Sequence, residues 1–422
     1  MGRSQRDEGE LSRFTRRKMI QLTAGAAAGL AIGPDALSAA DLSADCARAC
    51  GEALKGLEYL TPPAKFFDVS RGHPVPHSLD EVKRREVGLT PETWKLEVVA
   101  DPATKAIVEN PLSLDAGSAL DWKALMKLAE KHAVSFMKIM TCNNLGRPLG
   151  MGLWEGVPLR AVFWLAKPKL HVRRVVYHGY HNDDPKQMFR SSLPVGRVLE
   201  DPPGLPPVIL CYKLNGQPLT PQRGGPVRLV VPEMYGYKSI KWLSRVLLTD
   251  LPGANDTYAE QDNDVDSWLK TFAGILTAPE RITAGETIPL TGYAQVGISG
   301  LTKVQTWIAP KAISWPADDP YFTKADWKDA EILPAPKTWG GGLPGDRLPE
   351  HLFGFDQKSH RPREWPPLFA MAHWAAARPG LRAGEYVLRV RTIDAKGIAQ
   401  PMPRPFQKSG RNLIEARNIT VT

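Results

Sequence analysis

The sequence predicts an α+β protein with two structured regions: a mixed α and β region over residues 41–271 and a β-sandwich over residues 272–422. Helical and alternating apolar patterns are interleaved in the first region, whereas the second has short alternating stretches separated by turn residues. With 36 Gly and 38 Pro among 422 residues, the chain is unlike a helical bundle. Its 12 Trp, 12 Phe and 10 Tyr supply apolar surface for a large core.

The first 40 residues have the pattern of an export signal. Arg16, Arg17 and Lys18 precede a short stretch rich in Ala and Gly, and residues 38–40 are small, as a cleavage site requires. The apolar stretch is shorter than the ~20 residues needed to cross a bilayer, so no membrane span is predicted. The Thr-Arg-Arg-Lys run is similar to a twin-arginine signal and predicts a periplasmic location. The alternative is an Ala-rich amphipathic helix with a chance arginine pair.

In the mixed region, apolar periodicity predicts the elements in order. Residues 41–60 are predicted to be loosely helical, and residues 61–91 extended and interrupted by prolines. The predicted helices are residues 121–132 and 158–165; the predicted strands are residues 94–99, 134–140, 172–177, 208–214, 227–232 and 239–248.

After about residue 272 the pattern changes to short strands. These are predicted at residues 287–294, 303–309, 384–392 and 418–422. Residues 314–367 between them are rich in Pro, Trp and Gly and show no periodicity. Because so long a structureless stretch is uncommon within a compact domain, we expect a large surface insertion or an interface arm.

The net charge of +9 favours an anionic ligand or partner. No run of Lys and Arg interleaved with aromatic residues follows residue 40, so a basic pocket for small anions is favoured over a nucleic-acid surface.

Four cysteines are too few for a disulfide scaffold, and they include only one close pair, whereas a zinc ribbon needs two. Cys46 and Cys50 are close enough to pair or to lie on one helix face, and the sequence does not decide between these. Cys142 follows a predicted strand and enters a polar loop. There it could be a nucleophile, a soft-metal ligand or a buried structural residue.

Several blocks of the sequence resemble the sulfite oxidase family of molybdopterin enzymes. The blocks follow the family order from about residue 57 to the end: residues 60–62 and 66–76, Thr141-Cys142 with residues 154–159, residues 212–219, residues 224–232 with 238–243, and residues 391–394 with 399–401. Each block alone is weak, but together they make the resemblance specific. It implies a sulfite-oxidase-type molybdopterin-binding domain followed by an immunoglobulin-like β-sandwich, which in this family usually forms a homodimer.

The resemblance also implies a molybdenum–molybdopterin cofactor and residues that bind it. Cys142 matches the thiolate that binds molybdenum. Arg228 and Lys241 match the contacts to the cofactor's phosphate and pterin, and a phosphate dianion favours such charge-assisted donors. The other implied cofactor contacts are His73, Ser239 and Arg223, the last of which stands where the family commonly has a histidine.

For the substrate, the resemblance implies Arg71 and Arg417 as pocket arginines, with Arg147 approximating a third. Tyr258 is the one tyrosine near the position of the family's active-site tyrosine, a few residues early. Two departures weaken a sulfite site. The cysteine is followed by Asn-Asn-Leu-Gly-Arg in place of the family's Gly-Asn-Arg-Arg, and four acidic residues are expected to make the edge around Tyr258 acidic: Asp256, Glu260, Asp262 and Asp264.

The implied function is a periplasmic molybdenum oxidoreductase that transfers an oxygen atom at a lone-pair centre such as sulfite. Its expected partners are a small oxyanion or other sulfur-containing substrate and a cytochrome c that accepts electrons. The alternatives are a sulfoxide-type reductase of the same family and an exported binding or scaffold protein without the metal. His178, His181, Asp183 and Asp184 are only half a zinc site, so we interpret them as a polar loop near the pocket rim.

Overall fold

The structure of the protein, a computed structural model, describes residues 42–253, 256–401, 410 and 412–422. The predicted export signal at residues 1–40 lies outside these residues. From Leu42 onward the chain forms one compact unit. No helix in the described ranges is long and apolar enough to cross a lipid bilayer.

The helices begin at side-chain caps where the sequence provides them. Ser43, Asp80 and Asp121 each accept a hydrogen bond from a backbone N–H of the first turn. The α-helices are α1 (Ala44–Lys55), α2 (Glu81–Glu86), α3 (Trp122–His132), α4 (Leu159–Ala166) and α5 (Val195–Leu199). Short 3₁₀ turns lie at Pro63–Lys65, Pro76–Ser78, Pro185–Gln187, Pro221–Arg223, Gly236–Lys238, Ala259–Gln261 and Pro344–Asp346.

The strands are numbered in chain order. They are β1 (Lys95–Ala100), β2 (Leu120–Asp121), β3 (Val134–Thr141), β4 (Pro148–Pro158), β5 (Arg174–Gly179), β6 (Arg190–Pro194), β7 (Ile209–Leu214), β8 (Gln217–Pro218), β9 (Arg228–Val230), β10 (Leu243–Thr249), β11 (Phe272–Thr277), β12 (Arg281–Ile282), β13 (Ile288–Gln295), β14 (Lys303–Pro310), β15 (Lys328–Ile332), β16 (Met371–Arg378), β17 (Gly384–Ile393) and β18 (Glu415–Val421).

Two five-stranded sheets build the mixed region. One has the order β2-β1-β10-β5-β6, in which β1 and β10 run parallel, with Glu97 opposite Arg245, and the other neighbours are antiparallel. The second has the order β3-β4-β7-β8 with β9 against β7, and is antiparallel. A shared core contains Val98 and Val246 of the first sheet, Leu210 of the second, and Phe163 of α4.

The C-terminal strands form a two-layered sheet of order β11-β13-β16-β15-β14-β17-β18-β12. β15 pairs with β14 through Ala330 and with β16 through Glu331, so it joins the two layers. Between the layers lies an apolar core that includes Ile275, Trp374 and Leu388. The predicted α+β class with a C-terminal β-sandwich is therefore confirmed.

Residues 314–367 do not form the surface insertion or interface arm that the sequence predicts. They contribute β15 to the sandwich, and Trp339, Leu343 and Leu352 are buried in a cluster that also contains Met137 and Ile139 of β3. The segment packs into the molecule because its aromatic and aliphatic side chains find a partner in the mixed region. Trp339, Leu343 and Leu352 lie outside the helices and strands, so their burial produces no apolar periodicity in the sequence.

Candidate cofactor and substrate site

A cavity of about 380 Å³ lies in the mixed region. Its wall includes seven residues predicted from the sequence: Arg71, Cys142, Arg223, Arg228, Ser239, Lys241 and Tyr258. The structure thus gathers into one site most of the residues that the sequence implied.

The ends of three strands place the cofactor side of this wall. Cys142 directly follows β3, Arg228 begins β9, and Ser239 and Lys241 lie in the short connection between β9 and β10. The Cys142 loop is held on both sides: the Thr141 hydroxyl donates to the Gln295 side-chain oxygen, and Asn143 Oδ1 accepts from the backbone N–H of Gly410. Sheet register therefore fixes where the thiol lies.

Cys142 differs from the other three cysteines in its exposure. It is half-buried and lines the cavity, whereas Cys46, Cys50 and Cys211 are buried, and all four thiols are free. Burial raises the pKa values of Cys46 and Cys211 to about 12, which disfavours thiolates at those positions. Cys142 is thus the thiol placed to serve as a ligand. Across the described residues, no group of three or more His, Cys, Asp or Glu is arranged to hold a metal ion.

Arg223 and Arg228 are buried cations with unsatisfied donors. They are 3% and 4% exposed. Arg228 donates to the backbone carbonyls of Arg223, at 3.0 Å, and Ser239, at 2.6 Å. Arg228 Nε and both Nε and Nη2 of Arg223 are nevertheless buried without a hydrogen-bond partner. Burial lowers the pKa of Arg228 to about 10, so it remains protonated at neutral pH. An anion in the cavity would satisfy these donors, which are costly to leave unpaired.

Lys241 is the third cation of this group. Its Nζ donates to Asp68 Oδ1 at 2.8 Å, Ser70 Oγ at 2.6 Å and the Gln222 carbonyl at 2.8 Å. Burial, reinforced by the charge of Arg228, lowers the pKa of Lys241 to about 7. Burial alone would raise the pKa of Asp68, but hydrogen bonds from Lys241 and Ser70 hold it well below its usual range.

These residues fit a phosphate-bearing cofactor. Arg223 and Arg228 carry two positive charges, and Lys241 adds a third when it is protonated, against the one carboxylate of Asp68; this excess suits an anion such as a phosphate. Gly224 allows the close approach of the Lys241 stem: it has φ +95°, and a Cβ there would lie 2.8 Å from Lys241 Cβ. The soft thiol of Cys142 in the same cavity matches the donor expected for molybdenum.

On the substrate side, Arg71 is held by aromatic rings. Its Nη2 donates to the Tyr258 hydroxyl, and its guanidinium carbon lies 4.4 Å from the centroid of the Phe189 ring. The ring centroid of Tyr258 is 4.8 Å from that of Tyr237 and 5.2 Å from that of Phe189. Arg71 is exposed, in contrast to the buried arginines of the cofactor side. The pairing of Arg71 with Tyr258, which are 187 residues apart, supports their predicted role in substrate binding.

The predicted acidic edge around Tyr258 is wrong for two of its four residues. Asp256 is buried in an ion pair with Lys238 at 2.6 Å, and Glu260 accepts two hydrogen bonds from Arg190, at 3.0 and 3.2 Å. These carboxylates are neutralised by cations from neighbouring elements. The sequence does not reveal this pairing, because the partners are not neighbours along the chain. The edge therefore presents less negative charge to an anion than expected.

Three predicted site residues do not line the cavity. His73 is exposed, and its backbone N–H donates to Gln187 Oε1 at 2.8 Å. Arg147 is exposed and its guanidinium carbon lies 4.5 Å from the centroid of the Phe67 ring. Arg417 lies on β18, where its side chain donates to the Ile275 carbonyl and pairs with Glu415 at 3.2 Å. The pairing of β18 with β17 places Arg417 on the sandwich.

The cavity also contains residues that were not predicted as site residues. Gln187, Phe189, Tyr237 and Asn144 contribute to its wall. Of the four residues predicted to lie near the rim, His181 lines the cavity together with its neighbours Gly179 and Tyr180, whereas His178, Asp183 and Asp184 do not. No local pattern marks Phe189 or Tyr237, which reach the site only through the folding of β6 and the β9–β10 connection.

Comparison with known proteins gives a family for part of the chain. Residues 83–257 match the family described as oxidoreductase molybdopterin binding domain. The match contains Cys142 and the cofactor-side cations, and ends one residue before Tyr258.

Among similar curated proteins, the NADPH nitrate reductase of Beauveria bassiana is 33% identical over 117 residues, which are 28% of this chain and 12% of that protein. The mitochondrial sulfite oxidase of Rattus norvegicus is 29% identical over 194 residues, 44% of this chain and 33% of that protein. The chain thus spans a third or less of the length of these relatives.

Among solved structures, the sulfane dehydrogenase SoxCD of Paracoccus pantotrophus has a similar fold. The TM-score is 0.53 at 18% sequence identity, and the likeness covers 79% of this chain and 77% of that one. At this identity the likeness concerns the fold, and it extends well beyond the residues of the family match.

Proposed function

We propose that this chain, whose residues 83–257 match the oxidoreductase molybdopterin binding domain, is a divergent member of the sulfite oxidase family. It would be a periplasmic enzyme that transfers an oxygen atom at a sulfur centre and passes electrons to a cytochrome c. The observation that carries the proposal is the grouping of Cys142 with Arg223 and Arg228, whose buried donors lack partners, and with Lys241. A structural core would not keep such groups unpaired, whereas a site for a metal-bearing anionic ligand requires them.

The cofactor side of the cavity is proposed to bind the molybdenum cofactor and to orient it. When bound, the molybdenum cofactor supplies a metal that exchanges an oxygen atom and two electrons with a lone-pair donor. Cys142 provides the protein thiolate for that metal, and Arg223, Arg228 and Lys241 hold the phosphate. The Asp68 carboxylate and the Ser70 hydroxyl fix the position of Lys241 Nζ before any ligand arrives.

On the substrate side, Arg71 binds the anion and Tyr258 orients it. Because Arg71 donates to the Tyr258 oxygen, the hydroxyl proton of Tyr258 is free to be donated to a substrate oxygen. Phe189 packs against both groups, and Tyr237 packs against the Tyr258 ring. With sulfite, the balanced reaction converts sulfite and one water to sulfate, two protons and two electrons. The electrons leave singly, to two molecules of oxidised cytochrome c.

The placement of Arg147 and Arg417 outside the cavity bears on the choice of substrate. The cavity offers one substrate-side arginine, Arg71, surrounded by rings. This supports weak sulfite binding and a larger or less charged sulfur substrate. It also favours the second candidate function, a sulfoxide reductase, whose neutral substrate needs a hydrogen-bond donor such as Tyr258 more than it needs cations.

Two further parts of the proposal concern location and assembly. The Arg16–Arg17 pair supports export of the folded protein, and the C-terminal sandwich supports a homodimer. Replacing both arginines by lysine should leave the precursor in the cytoplasm. A normal periplasmic yield of that variant would contradict export by the twin-arginine route. Sedimentation of the purified protein tests the dimer.

The central experiment measures Mo and pterin in protein purified from its own periplasm, then steady-state turnover in both directions. Sulfite oxidation is followed with cytochrome c, and sulfoxide reduction with an artificial electron donor. We expect stoichiometric Mo and turnover in at least one direction. Protein that folds but contains no Mo would be the metal-free binding protein, and Mo-loaded protein inactive in both assays would exclude both proposed substrate classes.

A further inference from the structure

Asp256 is a buried carboxylate at the start of the turn that carries Tyr258. Its Oδ1 accepts hydrogen bonds from the backbone N–H groups of Tyr258, at 3.0 Å, and Ala259, at 3.2 Å. Its backbone carbonyl accepts from the N–H of Glu260 at 2.9 Å. Because its side chain caps two consecutive N–H groups, Asp256 fixes the orientation of the backbone from which the Tyr258 ring projects.

The other oxygen of Asp256 anchors this turn to the body of the protein. Oδ2 accepts from Lys238 Nζ at 2.6 Å, from Ser191 Oγ at 2.9 Å and from the backbone N–H of Ser192 at 3.3 Å. The side chains of Lys238 and Asp256 are 0% and 1% exposed. Lys238 Nζ also donates to the Ser192 carbonyl at 3.0 Å, and its own carbonyl accepts from the Tyr177 hydroxyl at 2.9 Å.

This ion pair lies behind the cavity and not in it. Neither Lys238 nor Asp256 lines the cavity, but Tyr237 and Ser239 on either side of Lys238 do, as does Tyr258. The pair, whose members are 18 residues apart in sequence, therefore joins two segments of the cavity wall. One of them carries Ser239 and Lys241 of the cofactor side, and the other carries Tyr258 of the substrate side.

A buried ion pair is not required for stability, since its desolvation offsets much of the attraction and apolar residues can often replace it. It does impose one geometry, because each partner must meet the other at a set distance. We propose that Asp256, held by Lys238, is a positioning residue that sets the Tyr258 hydroxyl against Arg71 in the cavity. The inference rests on the proposed function in that Tyr258 is taken to contact the substrate.

The same turn offers a matched control. Glu260 pairs with Arg190 at 3.0 Å, but their side chains are 50% and 33% exposed, so this ion pair contributes little. Glu260→Gln removes a carboxylate four residues from Asp256 without emptying a buried site. We expect this variant to behave like the wild type.

The test is a double-mutant cycle of Asp256→Asn and Tyr258→Phe in Mo-loaded protein, with kcat/KM for sulfite or for dimethyl sulfoxide, whichever is turned over. Asp256→Asn should lower kcat/KM about 10- to 100-fold, the scale of a small misplacement of a catalytic group. In the Tyr258→Phe background the same change should cost no more than about twofold, because the group it positions is gone. Losses of equal size in both backgrounds would overturn the inference.

Asp256→Asn leaves the Lys238 ammonium buried without its carboxylate, so a second variant protects the test against misfolding. Asp256→Asn with Lys238→Met removes both charges. We expect this protein to fold, to retain Mo and to keep the loss of kcat/KM, again only when Tyr258 is present. Wild-type kcat/KM in the neutral pair would show that the ion pair does not position Tyr258.

Hydrogen exchange separates this inference from the proposed function. In Asp256→Asn, the amides of Tyr258 and Ala259 should exchange about tenfold faster, since a charged acceptor has been replaced by a weaker neutral one. Exchange in β13, on the sandwich, should not change. If the wild type turns over neither substrate, the proposed function fails, and the exchange data alone decide the positioning. Unchanged exchange at 258 and 259 overturns it.

Discussion

The cofactor side and the substrate side of the cavity are built differently. Arg223, Arg228 and Lys241 come from one short stretch around β9 and β10, inside the matched residues 83–257, and two of the three are less than 5% exposed. Arg71 and Tyr258 come from segments 187 residues apart, both outside the match. In the proposed function, the three cations that would hold the cofactor thus lie in the matched domain, whereas the two polar groups that would contact the substrate lie outside it.

This difference also orders the expected effects of substitution. A charge removed from a buried, low-dielectric site changes binding more than one removed from an exposed site, where water screens the interaction. Substitutions on the cofactor side should therefore have the larger effects, and equal effects on both sides would contradict the comparison.

The largest effect is expected at Cys142, because turnover on the substrate side requires the metal that this residue is proposed to bind on the cofactor side. Cys142→Ser replaces a soft thiolate donor by a hard, protonated hydroxyl, so we expect a folded protein without measurable turnover. Cys211→Ser is the control, because that thiol is buried in β7 and should show only a packing cost in thermal stability. Turnover at the wild-type rate in Cys142→Ser would remove this residue from the reaction.

The next effect concerns anchoring of the phosphate. Arg228→Ala or Lys241→Ala should lower Mo and pterin content together, about 10- to 100-fold at limiting cofactor, because a charge-assisted hydrogen bond contributes about 1.5–3 kcal/mol. Lys213→Ala is the control, since Lys213 pairs with Glu155 at 2.9 Å outside the cavity. Content equal to that of the control would mean that the cations bind another ligand.

The burial of Lys241 predicts a pH dependence of the cofactor-free protein. Its pKa is lowered from 10.5 to about 7, so between these values the unfolded chain binds more protons and stability rises with pH. The slope from one such group approaches about 1.4 kcal/mol per pH unit. Chemical denaturation from pH 7 to 10 should show this slope in the wild type and a smaller one in Lys241→Met. Parallel curves would contradict the shifted pKa.

A smaller effect is expected on the substrate side. Arg71→Gln should raise the KM for sulfite about tenfold, from the loss of a charge-assisted bond of about 1.5 kcal/mol, and change that for dimethyl sulfoxide about twofold or less. The sulfite rate should also depend less on ionic strength in the variant. An equal rise of KM for both substrates would mean that Arg71 shapes the cavity and does not bind charge.

The cofactor side could be predicted from the sequence because it is local. The family resemblance implies Arg228, Ser239 and Lys241 from one block of the sequence, residues 224–243, and Cys142 follows a clearly predicted strand. β4 was missed, although it lies at the centre of the second sheet, because Gly150, Gly152 and Gly156 interrupt its apolar pattern. Those glycines are required by packing: a Cβ on Gly156 would lie 2.4 Å from the Leu210 carbonyl oxygen.

The substrate side could not be predicted as well because contacts between distant segments decide it. The family resemblance implied Arg147 and Arg417 as anion ligands, but sheet register places Arg417 on the sandwich, and Arg147 packs on the Phe67 ring without lining the cavity. In the same way, the sequence alone makes the carboxylates of Asp256 and Glu260 unfavourable beside an anion. In the structure each of them is paired with a cation, Lys238 or Arg190.

The smallest effect is expected at Arg417, and it tests the comparison most directly. Arg417→Ala removes an arginine that already has partners on the sandwich, the Ile275 carbonyl and Glu415. Because this side chain does not line the cavity, the KM for sulfite should stay within about twofold of the wild type, the scale of an exposed ion pair. Arg71→Gln, assayed beside it, supplies the positive control. A tenfold rise in Arg417→Ala would place a sandwich residue at the substrate, and the division between a matched cofactor side and a substrate side limited to Arg71 and Tyr258 would then be wrong.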